Sequence, residues 1–369
     1  MSSGFTMALA MPTTLKCTKA GGNKRLKYAV SAIQGYCEDM EDDHAVVEDM
    51  DRETSFFGVY DGHGGPAVAR YCANHLHIEL LKQPAFHRYL AHAIERTFFR
   101  MDVMMRDRNA EKELSKYGGN KHWRKFRKNL CMSSIFPCFI QGLLVDGCTA
   151  CVALIRGNQI IIGNAGDSRC VLSRNGQAVA LSTDHKQCLP AERQRIEKAR
   201  NATVRVRGDA PQIDDGISTS RSIGIYSIDC IAVNISLPYI SGDLKCKQNI
   251  SLFPQDQILI AFPEVQSEEI TAESEFLVIA CNEFWDCMTN QQVVDYVRIY
   301  LKAYMTVVII VFKKRNEACP ALPPATGQGE GSASHSLLPP SEPPAARTGA
   351  DEPLASRPRA LRTTSEIEL

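Results

Sequence analysis

The sequence predicts an α+β sandwich of antiparallel sheets with covering helices, and three observations carry that expectation. β-rich runs recur and several lie close together, most densely over residues 149–172, which leaves room for hairpins but not for crossover helices. Helical patterns are interleaved with them. Composition is that of a globular chain: 44% hydrophobic and 23% charged over 369 residues.

Taken in order, the strand-like runs are 27–32, 55–60, 149–155, 159–162, 170–172 and 276–281. The first helical pattern, 68–81, follows a Gly-Gly-Pro start. The second, 85–109, has apolar residues at three- and four-residue spacing. A third, 190–199, carries Pro in its first turn and Glu early, both helix-start signals. Residues 291–304 resemble a final helix. No internal repeat is visible.

Residues 24–314 read as one folded domain. Residues 1–23 read as a loose, flexible leader. From 315 to 369 half of the chain's 18 prolines gather with Ser, Ala and Gly and without an aromatic residue. Such a segment buries too little apolar surface to offset the entropy of ordering, so a disordered tail is expected.

Forty-two basic residues balance 42 acidic ones, which argues against bulk electrostatic capture of nucleic acid or an anionic membrane. The apolar run Met305 to Phe312 is well short of the roughly 20 residues a membrane helix needs. MSSGFTMALAMP lacks a basic n-region and makes a poor signal peptide. The 14 cysteines are therefore expected to be reduced thiols in a cytoplasmic or nuclear protein. Cys148-Thr149-Ala150-Cys151 lacks a second pair for a metal or redox site, and on a strand its two thiols face opposite sides. The basic and aromatic stretch Lys121 to Lys128 reads as a solvated insertion.

Chemistry concentrates in a few short segments. Tyr60-Asp61-Gly62-His63-Gly64-Gly65 ends a β-rich run with an acid, a His and three glycines. An Asp at a strand end and a neighbouring Gly carbonyl are hard oxygen donors for a divalent cation, and a His beside them is a potential general acid. Taken alone, the segment is equally an Asp-Gly turn. Upstream, Glu38, Asp39, Glu41, Asp42 and Asp43 place five acids in six positions. Gly163-Asn164-Ala165-Gly166-Asp167-Ser168-Arg169 and Leu181-Ser182-Thr183-Asp184-His185-Lys186 each read as turns.

Together and in this order these segments resemble the PP2C (PPM) family of metal-dependent Ser/Thr protein phosphatases. The matching stretches are IQGYCEDMEDDH, FFGVYDGHGG, GCTACVALI, GNAGDSR, LSTDHK, AERQRIEKA, FLVIACNEFWDCMTNQQVVDYV and MTVVIIVF, spanning roughly residues 25–314. The resemblance implies a sandwich of two antiparallel β-sheets flanked by helices on both faces. It implies hydrolysis of phosphoserine and phosphothreonine by a water held between two Mg2+ or Mn2+ ions. It places metal ligands at Asp61, at the Gly62 carbonyl, and near Glu41 and Asp42, with His63 as the catalytic general acid.

Three positions depart from the family pattern. Cys37 stands where the family has the Arg that grips substrate phosphate, so a fork of donors is replaced by a thiol. Asn282 stands where the family has a metal-binding Asp, which leaves a weak ligand, and Glu283 follows where the family has Gly. Ala303 stands where the last metal-binding Asp is expected. Nineteen residues separate Trp285 from Met305, fewer than the family's usual span, which leaves an apolar sheet face open to exposure. Asp146, beside Gly147, has an uncertain register against the family's third-metal position.

Loss of two anions from a partly buried site costs several kcal/mol of metal affinity, and about 4 kcal/mol is roughly a thousandfold. The expectation is therefore a catalytically impaired pseudophosphatase, a monomer that binds phosphoproteins or a kinase or phosphatase partner. Its binding of Mg2+ or Mn2+ is expected to be weakened. An active enzyme using Asp61, Glu41, Asp42 and Asn282 with relaxed geometry is the alternative, and a truncated product of little stability is another.

Overall fold

A computed structural model describes residues 9–117, 146–200, 205–207, 210–212, 219–224, 247, 251–301 and 309–312. The expected tail, the basic stretch Lys121 to Lys128 and Ala303 lie outside the described residues.

One sheet has five antiparallel strands in the order β14 (Glu264–Glu269), β8 (Gln159–Ala165), β7 (Ala150–Arg156), β4 (Thr54–Tyr60) and β3 (Asp43–Val47). The other has six, β1 (Thr13–Gly22), β2 (Leu26–Gly35), β16 (Ile309–Phe312), β15 (Ser274–Ala280), β9 (Arg169–Arg174) and β10 (Gln177–Ala180). A small third sheet joins β13 (Ile223–Gly224), β6 (Gly147–Cys148) and β5 (Gly62–His63), and β11 (Arg205–Arg207) pairs with β12 (Ala210–Gln212). The helices are α1 (Ala67–Leu81), α2 (Leu90–Met104), α3 (Arg108–Tyr117), α4 (Pro190–Arg200), α5 (Asn282–Cys287) and α6 (Asn290–Leu301).

Three apolar layers hold the stack together, and strand pleating explains them. Successive side chains point to opposite faces. Along β4, Phe56 and Tyr60 pack under α1 and α2, while Phe57 and Val59 fill the space between the sheets. On β7, Val152 and Leu154 take the helix side and Cys151, Ala153 and Ile155 the inner side. In the six-stranded sheet, Cys170, Leu172, Leu277 and Ile279 face inward, and Val171, Phe276 and Val278 pack outward against Trp285, Val293, Val294 and Val297. Both faces are buried, so these strands read as unbroken apolar runs although they are antiparallel. This is the expected sandwich of two antiparallel sheets with helices on both outer faces. Cys148 belongs to the helix-side layer, with its sulfur 3.7 Å from that of Cys72, and Cys151 to the inner layer, so the C-x-x-C pair is split as its spacing predicts.

Some expectations require correction. Residues 13–22, read as part of a loose leader, form β1, which pairs with β2 from Thr13↔Gly35 to Gly22↔Lys27. Its side chains are mostly exposed, so no apolar alternation advertised it, and its order comes from backbone pairing with β2. Lys16 and Lys19 on this edge discourage pairing with another chain. The single helix expected over 85–109 is α2 followed by α3. The chain tightens through Arg106 N–H to Val103 and Asp107 N–H to Met104, and the Asp107 carboxylate then accepts from Asn109 N–H to start the next helix. The early Glu of α4 does more than mark a helix start. Glu192 is buried and ties Arg195, Arg221 and Ser220 together.

The apolar face expected from the shortened segment before Met305 is small on β2. Leu26 and Tyr28 face inward, so Lys27, Ala29, Ser31 and Ile33 face outward, and Ile33 alone of these is a large exposed apolar side chain. Among the described residues no helix is long and apolar enough to cross a membrane.

Candidate metal centre

Strand register brings the upstream acids to the Asp-Gly-His segment. Asp43 of β3 is the partner of Tyr60 of β4, so Asp42 and Asp61 stand side by side one step beyond. The chain then turns into β5, whose Gly62 and His63 pair with Cys148 and Gly147 of β6. Thr149 N–H donates to the Asp61 carbonyl at 2.8 Å, at the break between β6 and β7, and the Thr149 hydroxyl meets that of Ser168 at 2.8 Å. Asp167 lies in the loop between β8 and β9 and is buried.

The other sheet delivers the remaining groups. β15 ends at Ala280, paired with Arg169, and Cys281, Asn282 and Glu283 begin α5. Trp285 fixes that short helix, because its indole N–H donates to the carbonyls of Arg169 and Ala280, both at 3.1 Å. One end of the Asn282 amide lies 2.5 Å from Asp61 Oδ2 and 2.9 Å from Glu283 Oε2; turned nitrogen-first it would donate to both, and turned oxygen-first it joins them in a cluster of oxygens that suits a cation. One oxygen each of Asp42 and Glu283 and the Cys281 sulfur lie within 4.8 Å of one another.

Glycine is required at two positions here. A Cβ on Gly62 would fall on the Glu41 carbonyl oxygen and 3.0 Å from that of Gly65. Gly65 has φ +152°, and a Cβ there would lie 2.5 Å from an Asp146 carboxylate oxygen. That carboxylate also accepts from Ala67 N–H at 3.2 Å, at the start of α1. Gly62→Ala is accordingly expected to cost about 1–3 kcal/mol of stability, read from the urea midpoint. An unchanged midpoint would contradict this close packing.

The carboxylates repel one another. Burial, then Asp42, Glu283, Asp167 and Glu41, push Asp61 well above the usual carboxylate range. Asp61 and Asp42 share a hydrogen bond, and Asp42 also accepts from the Cys281 thiol. Burial, and then Glu283, push Asp42 up to about 6. Burial, and then Asp146, push Glu41 up to about 7, against the opposing pull of His63. Burial also raises Asp167, against Lys186. The Cys37 thiol is pushed up by burial and then by Glu283, Asp42, Glu41 and Asp61, the direction its acidic surroundings predict.

A divalent cation relieves such repulsion, and carboxylate oxygens suit Mg2+ and Mn2+. The donor set fits a cation at the Asp42 end. It does not fit the full two-ion pattern, since position 282 offers a neutral amide in place of a carboxylate and the Ala303 side chain carries no donor.

The structure thus gathers Glu41, Asp42, Asp61, Gly62, His63 and Asn282, with Cys37 close enough for the same acids to raise its thiol. Sequence reasoning undervalued Glu283, whose carboxylate comes within reach of Asp42. It left Asp167 without a role and Asp146 without a register, which the β5–β6 pairing supplies. A cavity of about 650 Å³ bounded by Arg169, Trp285, Cys287 and Asn290 is lined by none of Asp42, Asp61 and Glu283.

A profile of the Protein phosphatase 2C family matches residues 26–121 and 143–321. The chain is 46% identical over 323 residues to "Probable protein phosphatase 2C 42" of Oryza sativa subsp. japonica, covering 86% of each chain. It is 37% identical over 340 residues to "Probable protein phosphatase 2C 60" of Arabidopsis thaliana, covering 88% of each. Its fold is also that of a crystal structure of a phosphatase from Toxoplasma gondii, with a TM-score of 0.56 at 20% identity over 78% of this chain and 86% of that one. Fold and sequence together define the class, that of the protein phosphatases. The chain belongs to the protein phosphatase 2C family, whose members generally depend on Mg2+ or Mn2+.

Proposed function

We propose that this chain is a protein Ser/Thr phosphatase of the 2C family with strongly reduced hydrolytic capacity, acting chiefly by binding phosphoproteins or a kinase or phosphatase partner. The observation that carries the reading is the neutral Asn282 amide, one end of which lies 2.5 Å from Asp61 Oδ2, where the family pattern has a metal-binding carboxylate. When bound, the family's ions supply a water nucleophile and neutralise phosphate charge. Cys37 offers no fork of donors to a phosphate, and Ala303 contributes no ligand. His63, on β5, is the residue that the family pattern assigns as general acid.

The reading is tested by turnover of a phosphothreonine peptide in millimolar Mn2+, beside an Asp61→Ala control. The expected rate is within about twofold of that control. A rate ten or more times higher overturns the impaired reading in favour of an active Mn2+-dependent enzyme, which the surviving carboxylates would then serve.

A further inference from the structure

We infer that this chain carries a single divalent-cation site built on Asp42, Cys281 and Glu283, which takes a transition-metal dication in preference to Mg2+. The inference rests on reading the centre as the family's metal site, and moves that site onto residues the family pattern does not use together.

Donors bound to one ion at roughly 2.0–2.3 Å cannot be more than about 4.6 Å apart. An oxygen of Asp42, the Cys281 sulfur and an oxygen of Glu283 lie within 4.8 Å of one another, which small side-chain movements bring to that spacing. Three side chains from two places in the chain thus converge on one point. Asp42 arrives through the β3–β4 register and the other two through the start of α5. Nine-tenths buried Asp61 stands beside them, hydrogen-bonded to Asp42.

In the family pattern, residue 282 supplies a carboxylate and residue 283 is Gly. Here one end of the Asn282 amide lies 2.5 Å from Asp61 Oδ2 and 2.9 Å from Glu283 Oε2, and in either orientation of the amide it brings no charge to the centre. The carboxylate has moved one residue along the chain. At the first turn of α5, a shift of one residue rotates the side chain by about 100°. That rotation brings the Glu283 carboxylate to Asp42 and Cys281. The charge lost at 282 is regained, but around a different point.

Mg2+ demands an octahedron of oxygens, whereas a sulfur donor is compatible with Mn2+, Co2+ or Zn2+. A site that combines two carboxylates with a thiolate therefore discriminates against Mg2+.

The test uses the full-length chain stripped with EDTA. Mn2+ is titrated while the free aqueous ion is counted by electron paramagnetic resonance, and Co2+ is titrated while the near-ultraviolet thiolate-to-metal charge-transfer band is recorded. The expected results are one Mn2+ per chain, Mg2+ at least tenfold weaker in competition, and a Co2+ band that survives Cys37→Ser but disappears in Cys281→Ser. Glu283→Gln and Glu283→Gly are each expected to weaken Mn2+ at least tenfold. The Gly variant restores the family residue, so it keeps the test valid if the amide perturbs folding. Two Mn2+ per chain, unchanged affinity in both Glu283 variants, or a Co2+ band lost with Cys37 would each overturn the inference. None of these readouts depends on turnover, so an active enzyme with one cation refutes the impaired reading alone, and an inactive one with two refutes this inference alone.

Discussion

Lys247→Met is expected to destabilise the fold by about 3–5 kcal/mol in urea unfolding at pH 7. The Lys247 ammonium is 3% exposed and lies 2.9 Å from Asp102 Oδ2 and 2.7 Å from the Ser222 carbonyl. Asp102 sits on α2 and also accepts from Gly224 N–H at 3.0 Å, so the pair ties α2 to β13 and thereby to β6 behind the metal centre. Burial holds the Asp102 carboxyl above its ordinary range even with Lys247 beside it, so removal of the ammonium leaves a charge that must take up a proton or remain unpaired. The double variant Lys247→Met with Asp102→Leu is expected to recover part of the loss, since the buried charge goes with its partner. Gly224 N–H would still lack an acceptor. A single-variant cost below about 1 kcal/mol would show that the pair does not fix this part of the fold. A single sharp transition in the parent protein would count against the truncated-product reading, and a gradual one would favour it.

The second large effect concerns charge at the centre. In EDTA-treated protein, Glu41→Gln is expected to raise stability by about 1–2 kcal/mol at pH 8 and to change it little at pH 4.5. Glu41 is pushed from 4.5 up to about 7 by burial and by Asp146. A carboxyl raised on folding contributes stability that is fully present below its unfolded value and is lost as pH rises through its folded value. The loss therefore falls between pH 4.5 and about 7. The full shift corresponds to about 3 kcal/mol, reduced here because Glu41 retains contact with solvent. Other groups titrate in the same range with the opposite sign. Burial pushes His185 from 6.5 down to about 4, so its contribution is lost as pH falls through that interval. The difference between variant and parent at each pH isolates Glu41. Glu41→Gln that is neutral at pH 8 would mean that Glu41 is not repelled by Asp146.

Much of the centre was legible in the sequence because its donors sit in short motifs. Asp61, Gly62 and His63 are consecutive, and Glu41 and Asp42 need only the hairpin of β3 and β4 to reach them. Glu283 was visible as a charge, but its reach depends on where α5 begins and on Trp285 holding that helix to Arg169 and Ala280. The Lys247–Asp102 pair had no local signal at all. Its partners are 145 residues apart, and neither neighbourhood shows a pattern that demands the other. β1 escaped for a related reason, since an exposed edge strand is held by backbone pairing that leaves no apolar periodicity.

The sequence by itself determined the sandwich, because the unbroken apolar runs on β4, β7, β9 and β15 supply side chains to a layer on each face of their sheets. It also determined the family and the chemical departures at Cys37, Asn282 and Ala303, because those are properties of residue identity. Only the tertiary structure decided what the departures mean at the centre. Whether an amide faces a carboxylate, or a displaced Glu meets Asp42 and Cys281, is set by distances of a few ångströms between segments more than 200 residues apart. Electrostatic repulsion and coordination both depend on those distances, and sequence spacing does not specify them.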